Sequence, residues 1–371
     1  MATVPVHYGW LVSPYSAKTR SYLQHKGLEF RDVEPSVLQM MGRIQRSVGR
    51  IIMPTVRLPD GTWLQDSSVI IDHFESTSPE PTIEPSGPRQ RLASSLLEVF
   101  SDEWLPMAAL HYRWTIPENV AFAKADFARS GLPWAPRFVA RRVVEPFADK
   151  MKSYLSVLGV DDQTTPGVLA TVDLLLATLD AHLSQSSYVL GERPSLGDFS
   201  LFGPLWAHLY RDPGSRYLFE ETPHVRRWFE DLLAGAPARG DFAPGDVVAP
   251  TLDPLFVCLL RDQWAWITTL VGAIDDYCEQ HPEARRVPRA LGEAGFQIQG
   301  CSGRRKLVSF VQWKAQRARD LYDAAGSAAD PWLRRVVGAA NDEDVSALIT
   351  PVKNRFVLRD FKPILEARAS K

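Results

Sequence analysis

The order of apolar and polar positions predicts a strand over Val4–Val12, rich in β-branched and aromatic residues. A helix follows over Ser16–His25, and Gly27 suits the left-handed turn that ends it. A second short strand runs over Leu28–Val33, then a helix over Val37–Val48 carrying arginines at 43, 46 and 50. Thr55–Leu58 and Thr62–Leu64 read as strands around a Pro59-Asp60-Gly61 turn. Ser67–Ser76 reads as helix. Strands and helices alternate in this order over about 80 residues, which predicts an α/β layered domain.

Residues 77–88 carry four prolines in twelve positions and read as a linker. Beyond it the apolar spacing turns to three and four, as in "RLASSLLEVFSDEWLPMAAL" and "PGVLATVDLLLATLDAHL". The run "FSLFGPLWAHLY" is nearly all apolar and is expected to be buried. A second Gly/Pro-rich break covers residues 234–250. After it, amphipathic helices are expected near 255–277 and 305–322. Left free, they would expose large apolar stripes, so they are expected to pack on the helical domain or across a dimer. The expected domains are therefore 3–78 (α/β), 88–235 (all-α) and 250–371 (a helical extension).

Composition narrows the function only slightly. The 371 residues are 45% apolar and 23% charged, with net charge −2. That balance gives no electrostatic case for nucleic acid or an anionic membrane. The longest apolar run, residues 264–274, is well short of the roughly 20 residues of a membrane span. The three cysteines, Cys258, Cys278 and Cys301, lack metal-ligand spacing and form an odd set. Reduced thiols and a cytoplasmic location are expected. No basic segment leads into a long apolar core at the N-terminus, so no signal peptide is expected.

Candidate chemistry begins at "VSPYS", residues 12–16. Ser13 stands where a strand-like run meets a helix-like run. Thiol–disulfide proteins of thioredoxin type place two cysteines at such a junction; here those places hold Ser13 and Ser16. A serine beside Pro14 is first of all a helix cap. It cannot form a mixed disulfide. It can donate a hydrogen bond to a bound thiolate, aided by the helix N-terminus. Asp66-Ser67 likewise reads as a cap, and a helix start with a free hydroxyl can also hold a carboxylate.

With "SPYS", "MPT" and "DSS" in this order, residues 4–235 resemble the glutathione transferase superfamily. The resemblance implies a thioredoxin-like domain that binds glutathione, followed by an all-helical domain that completes a pocket for a small electrophile. It places the catalytic serine at Ser13, activating glutathione's thiolate. It places a cis peptide at Met53-Pro54, turning Met53's backbone toward glutathione as an added strand would be held. It assigns Asp66-Ser67 to the γ-glutamyl carboxylate. It also implies a homodimer, with no nucleic acid, membrane or metal involved. Asp66 departs from the glutamate more usual there, and residues 250–371 have no counterpart in the common members. The alternative is a non-catalytic interaction protein that keeps the fold. A glutathione-dependent thiol oxidoreductase is disfavoured, because no cysteine precedes Cys258.

Other residues have plainer readings. Ser195 and Asp198 form a capping box with Asp in place of Glu, a folding determinant. Tyr112 and Trp114 are expected in the core. Most of Arg43, Arg46 and Arg50 should lie on a solvated face. Residues 304–306, "RRK", are expected to open a helix in solvent.

Overall fold

The computed structural model describes residues 4–366. Its first part holds β1 (Val6–Tyr8), α1 (Pro14–His25) and β2 (Arg31–Val33). Next come α2 (Val37–Gln39) and α3 (Gln45–Val48), joined by a π-helical turn, Met40–Ile44. β3 (Thr55–Arg57), β4 (Trp63–Gln65) and α4 (Ser67–Thr77) follow. The sheet order is β2-β1-β3-β4, with β1 parallel to β2 and antiparallel to β3. This is the expected thioredoxin-like domain. β1 is shorter than the run Val4–Val12 suggested. Past Gly9 the chain turns back on itself, the Ser13 N–H donating to the Trp10 carbonyl at 3.1 Å, so the strand cannot continue.

The second part is helical: α5 (Pro88–Glu103), α6 (Pro106–Thr115), α7 (Pro117–Gly131), α8 (Arg137–Val157) and α9 (Thr165–Leu183). It ends with α10 (Leu196–Pro204), prolonged by a π-helical turn over Leu205–Tyr210, and α11 (Pro223–Leu233). Proline stands at the first turn of α5, α6, α7, α9 and α11. The missing N–H costs nothing at that position. The Asp198 carboxylate accepts Ser195's N–H and hydroxyl at 2.8 Å each and Trp228 Nε1–H at 3.0 Å. The pair is thus a folding device. Tyr112 and Trp114 are buried.

The extension contains α12 (Asp253–Cys258), α13 (Ala265–Gln280), β5 (Ala290–Ile298), β6 (Cys301–Val308), α14 (Phe310–Ala325), α15 (Asp330–Val337), β7 (Phe356–Arg359) and β8 (Lys362–Leu365). Helices dominate it, yet β5–β6 and β7–β8 form two hairpins absent from the expectation. The first turns at Gln299 (φ 47°) and Gly300 (φ 80°). Two left-handed residues in succession match the twist of antiparallel strands. The reading of 304–306 as an exposed helix start is corrected by this hairpin. Those residues lie in β6, and Arg305 is buried, its guanidinium 4.2 Å from the Trp266 ring centroid. The helix begins at Phe310.

One apolar core runs through all three parts, from Tyr22 and Val56 through Leu96 and Phe199 to Leu270 and Val311. α14 packs along α5, so its apolar stripe is covered within the same chain. A second cluster fills the cleft between the sheet and the helical domain, with Tyr8, Trp10, Trp114, Phe127 and Val144 at its centre.

Candidate active site

The register places three chain segments at one end of the strands. Thr55 pairs with Tyr8 on one side and with Gln65 on the other. The end of β1, the residues before β3 and the end of β4 are therefore neighbours. Trp10, Met53-Pro54 and Asp66 extend from those three points, and Trp10 N–H donates to Met53 Sδ at 3.3 Å.

Ser13 is the N-cap of α1, in extended backbone (φ −91°). Its Oγ accepts the Ser16 N–H at 3.2 Å, which leaves its own proton free to donate outward. Cap and donor are thus compatible roles. The preceding carbonyl, Val12, is held from the helical domain. Arg113 Nη1 donates to it at 2.9 Å, and His208 Nε2 lies 3.1 Å away. Burial pushes the His208 pKa well down and nearby Arg113 pushes it further, so the ring is neutral. Tyr15 donates its hydroxyl to the Asp102 carbonyl at 2.8 Å.

The Met53–Pro54 bond is cis. Among the described residues, no backbone hydrogen bond uses Met53's N–H or C=O. Both groups remain available to an extended ligand.

Asp66 caps α4 from a left-handed backbone (φ 83°), its Oδ1 accepting Ser68 N–H at 2.9 Å. Ser67 is 2% exposed, and its Oγ has no hydrogen-bond partner among the described residues. A buried hydroxyl without a partner is costly unless something fills the position.

Sequence reasoning missed the groups that join these points. Lys314 Nζ, on α14, donates to Asp66 Oδ1 and Asp102 Oδ2 at 3.0 Å each and to Ser68 Oγ at 2.5 Å. Lys18 Nζ donates to Glu98 Oε1 at 2.7 Å and Asp102 Oδ2 at 3.0 Å. The side chains of Lys18, Glu98, Asp102 and Lys314 are 1–3% exposed. Burial opposes the charge on Lys314, but Asp66, Asp102 and Glu98 outweigh it and raise its pKa. Burial likewise opposes ionising Glu98; Lys18, Lys314 and Arg317 overcome it and hold that carboxyl below the usual range. At Glu103 burial prevails over the opposing pull of Lys314 and Arg305, and the carboxyl is pushed up to about 8. Arg305 Nη2 donates to the Glu103 carbonyl at 2.7 Å. The arginine set divides. Arg43 and Arg46 are exposed, while half-buried Arg50 donates to Gln65 Oε1 at 2.9 Å and to the carbonyl of Phe361, at the β7–β8 tip. No pattern in the chain marked Lys314, 248 positions beyond Asp66. Arg113 stands between Tyr112 and Trp114, two residues whose apolar character hides its role in the sequence.

A thioredoxin-like sheet with a serine-capped first helix, a cis proline before β3 and a second capped helix, followed by a helical domain, defines a class. Residues 8–82 match the family described as "Glutathione S-transferase, N-terminal domain", and residues 162–231 match "Glutathione S-transferase, C-terminal domain". By these matches, residues 8–82 and 162–231 are the two domains of a glutathione S-transferase. It is similar to a β-etherase from a Sphingobium species, at 20% identity over 68% of this chain and 99% of that one, TM-score 0.42. It is similar to a glutathione S-transferase from Methylobacterium radiotolerans in complex with glutathione sulfonate, at 20% identity over 64% and 97%, TM-score 0.40. A glutathione transferase from Phanerochaete chrysosporium shares 16% identity over 65% and 100%, TM-score 0.42.

Proposed function

We propose that the protein binds glutathione at this end of the sheet and conjugates its thiolate to a small electrophile. The observation that carries this reading is the free proton of Ser13 at the start of α1, at the same end of the sheet as the open backbone of Met53 and the Ser67 Oγ that has no partner among the described residues. Met53 would hold the peptide as an added strand, next to Pro54. The γ-glutamyl carboxylate would lie at the start of α4 on Ser67, beside Asp66. The sulfur would lie near Ser13, where one hydroxyl and the helix N-terminus favour the ionised form. The electrophile would reach the sulfur from the side of the helical domain, where Trp10, Trp114 and Phe127, each no more than 5% exposed, form a packed wall.

The same reading divides the chain into 3–78, 88–235 and 250–371. It suits a cytoplasmic setting, because none of the three cysteines is in a disulfide. A homodimer would have to form away from the α5 face that α14 covers. Isothermal titration with glutathione, followed by a conjugation assay with a chloro-dinitro-arene, tests the proposal. Saturable glutathione binding without turnover of any electrophile would favour the interaction-protein reading. That reading draws on one observation: the extension puts Lys314 and Phe361 against the site.

A further inference from the structure

The acidic residue of the candidate site already holds a cation. Asp66 Oδ1 receives two hydrogen bonds, from Ser68 N–H at 2.9 Å and from Lys314 Nζ at 3.0 Å. The Lys314 side chain is 3% exposed and is fixed by Asp102 and Ser68 as well. It is therefore a resident part of the site. The next residue, Ser67, offers a buried hydroxyl with no partner among the described residues.

A γ-glutamyl group carries its carboxylate and its ammonium on one carbon. A carboxylate seated on Ser67 brings the ammonium beside Asp66, hence beside Lys314 Nζ. Two ammonium groups that close repel each other, the more strongly the less water remains between them. The wider charge count agrees. Asp66, Glu98 and Asp102 face the three cations Lys18, Lys314 and Arg50. Arg317 and Asp72 neutralise each other through bonds of 2.7 and 2.9 Å. With Glu103 protonated at neutral pH, the surroundings are balanced, and no acid there is left without a cation for a ligand's ammonium to meet. They suit a ligand end that is anionic, and they suit a zwitterion less well.

We propose that Lys314 makes the site selective for thiol peptides whose end at α4 carries a carboxylate without an α-ammonium. The inference rests on the glutathione-site reading and narrows its substrate class. Lys314 acts as a specificity residue supplied by the extension. The ligand's anion takes the position at Ser67, and the lysine takes the place of the ligand's amino group as the cation on Asp66.

The test is titration of the full-length protein with three thiol peptides. They are glutathione, its analogue with the α-ammonium replaced by hydrogen, and its analogue with the α-carboxylate replaced by hydrogen. The wild type should bind the first analogue at least as tightly as glutathione and the second at least tenfold more weakly. Lys314→Met combined with Asp102→Asn removes one charge of each sign, so the buried network keeps its balance. That variant should favour glutathione over the first analogue at least tenfold. A wild type that binds glutathione more tightly than the first analogue overturns the proposal and leaves the glutathione site standing. So does a ratio unchanged in the variant. A folded wild type that binds none of the three overturns both readings.

Discussion

Asp212 grips the guanidinium of Arg113 through two hydrogen bonds of 2.7 Å each, and both side chains are no more than 2% exposed. The same guanidinium holds the carbonyl of Val12, the residue before Ser13. A buried ion pair of the helical domain therefore fixes the start of α1 in the sheet domain. Arg113→Met should leave a buried carboxylate without a counter-charge and cost about 3–5 kcal/mol. Urea unfolding checks this. Arg113→Met with Asp212→Leu should recover part of the loss, since an apolar pair of similar volume is tolerated there. A single variant as stable as the wild type would refute the account.

Ser13→Ala should raise the pKa of bound glutathione's thiol by about one unit, the worth of one hydroxyl donor near 1 kcal/mol. Conjugation should slow at neutral pH and recover in alkali, where the thiolate forms unaided. A pH–rate profile that matches the wild type at every point would reduce Ser13 to a helix cap. Tyr8, Tyr15 and Ser16 would then be tested, although Tyr15's hydroxyl is already committed to the Asp102 carbonyl.

Ser67→Ala should weaken glutathione binding by roughly 1–2 kcal/mol, the loss of one hydrogen bond to a charged group. Folding stability should stay level or rise, because the hydroxyl is buried without a partner in the unliganded protein. Titration and thermal unfolding together separate this from a general defect. Equal affinity in both proteins would move the carboxylate elsewhere.

Glu103 titrates near 4.5 when exposed and at about 8 in the fold. The folded state thus holds a proton that the unfolded chain releases. Stability contributed by this group is full below about pH 4.5 and falls as pH rises to about 8. The total loss is on the order of a few kcal/mol. Glu103→Gln should remove that slope, so its advantage over the wild type should grow between pH 5 and 8. Parallel denaturation curves across that range would mean that Glu103 is already ionised in the fold.

A Cβ on Gly203, in α10, would lie 2.6 Å from the Pro14 carbonyl oxygen, a backbone atom that cannot swing away. Gly203→Ala should therefore push α10 from the start of α1 and destabilise by about 1–3 kcal/mol. The denaturant midpoint reads it. An unshifted midpoint would show that the two helices yield without strain.

Local signals made the first domain readable. Ser13 and Asp66 are caps, and capping is written in neighbouring residues. The order of short strands and helices around them was enough for the fold. The β5–β6 hairpin was lost because "RRKLVSFVQW" carries strand and helix in one breath, with the change at Ser309. The Gln299-Gly300 turn, with Phe296 and Ile298 alternating before it, was the signal available. The charge network was not readable at all. Each member looks like an ordinary lysine or acid on a helix, and only packing brings α1, α4, α5 and α14 together. A buried pair between residues over 200 positions apart leaves no local trace.

That separation sets an order in time during synthesis. Asp66 and Asp102 leave the ribosome long before Lys314. At 5–20 residues per second, the 248 positions between Asp66 and Lys314 take about 12–50 s to make. Through that interval Lys18 is the one lysine that the nascent network contains for three carboxylates. The acidic cap of α4 and the end of α5 reach their final charge pairing only when the last sixth of the polypeptide arrives. The first domain to be translated is among the last to be completed.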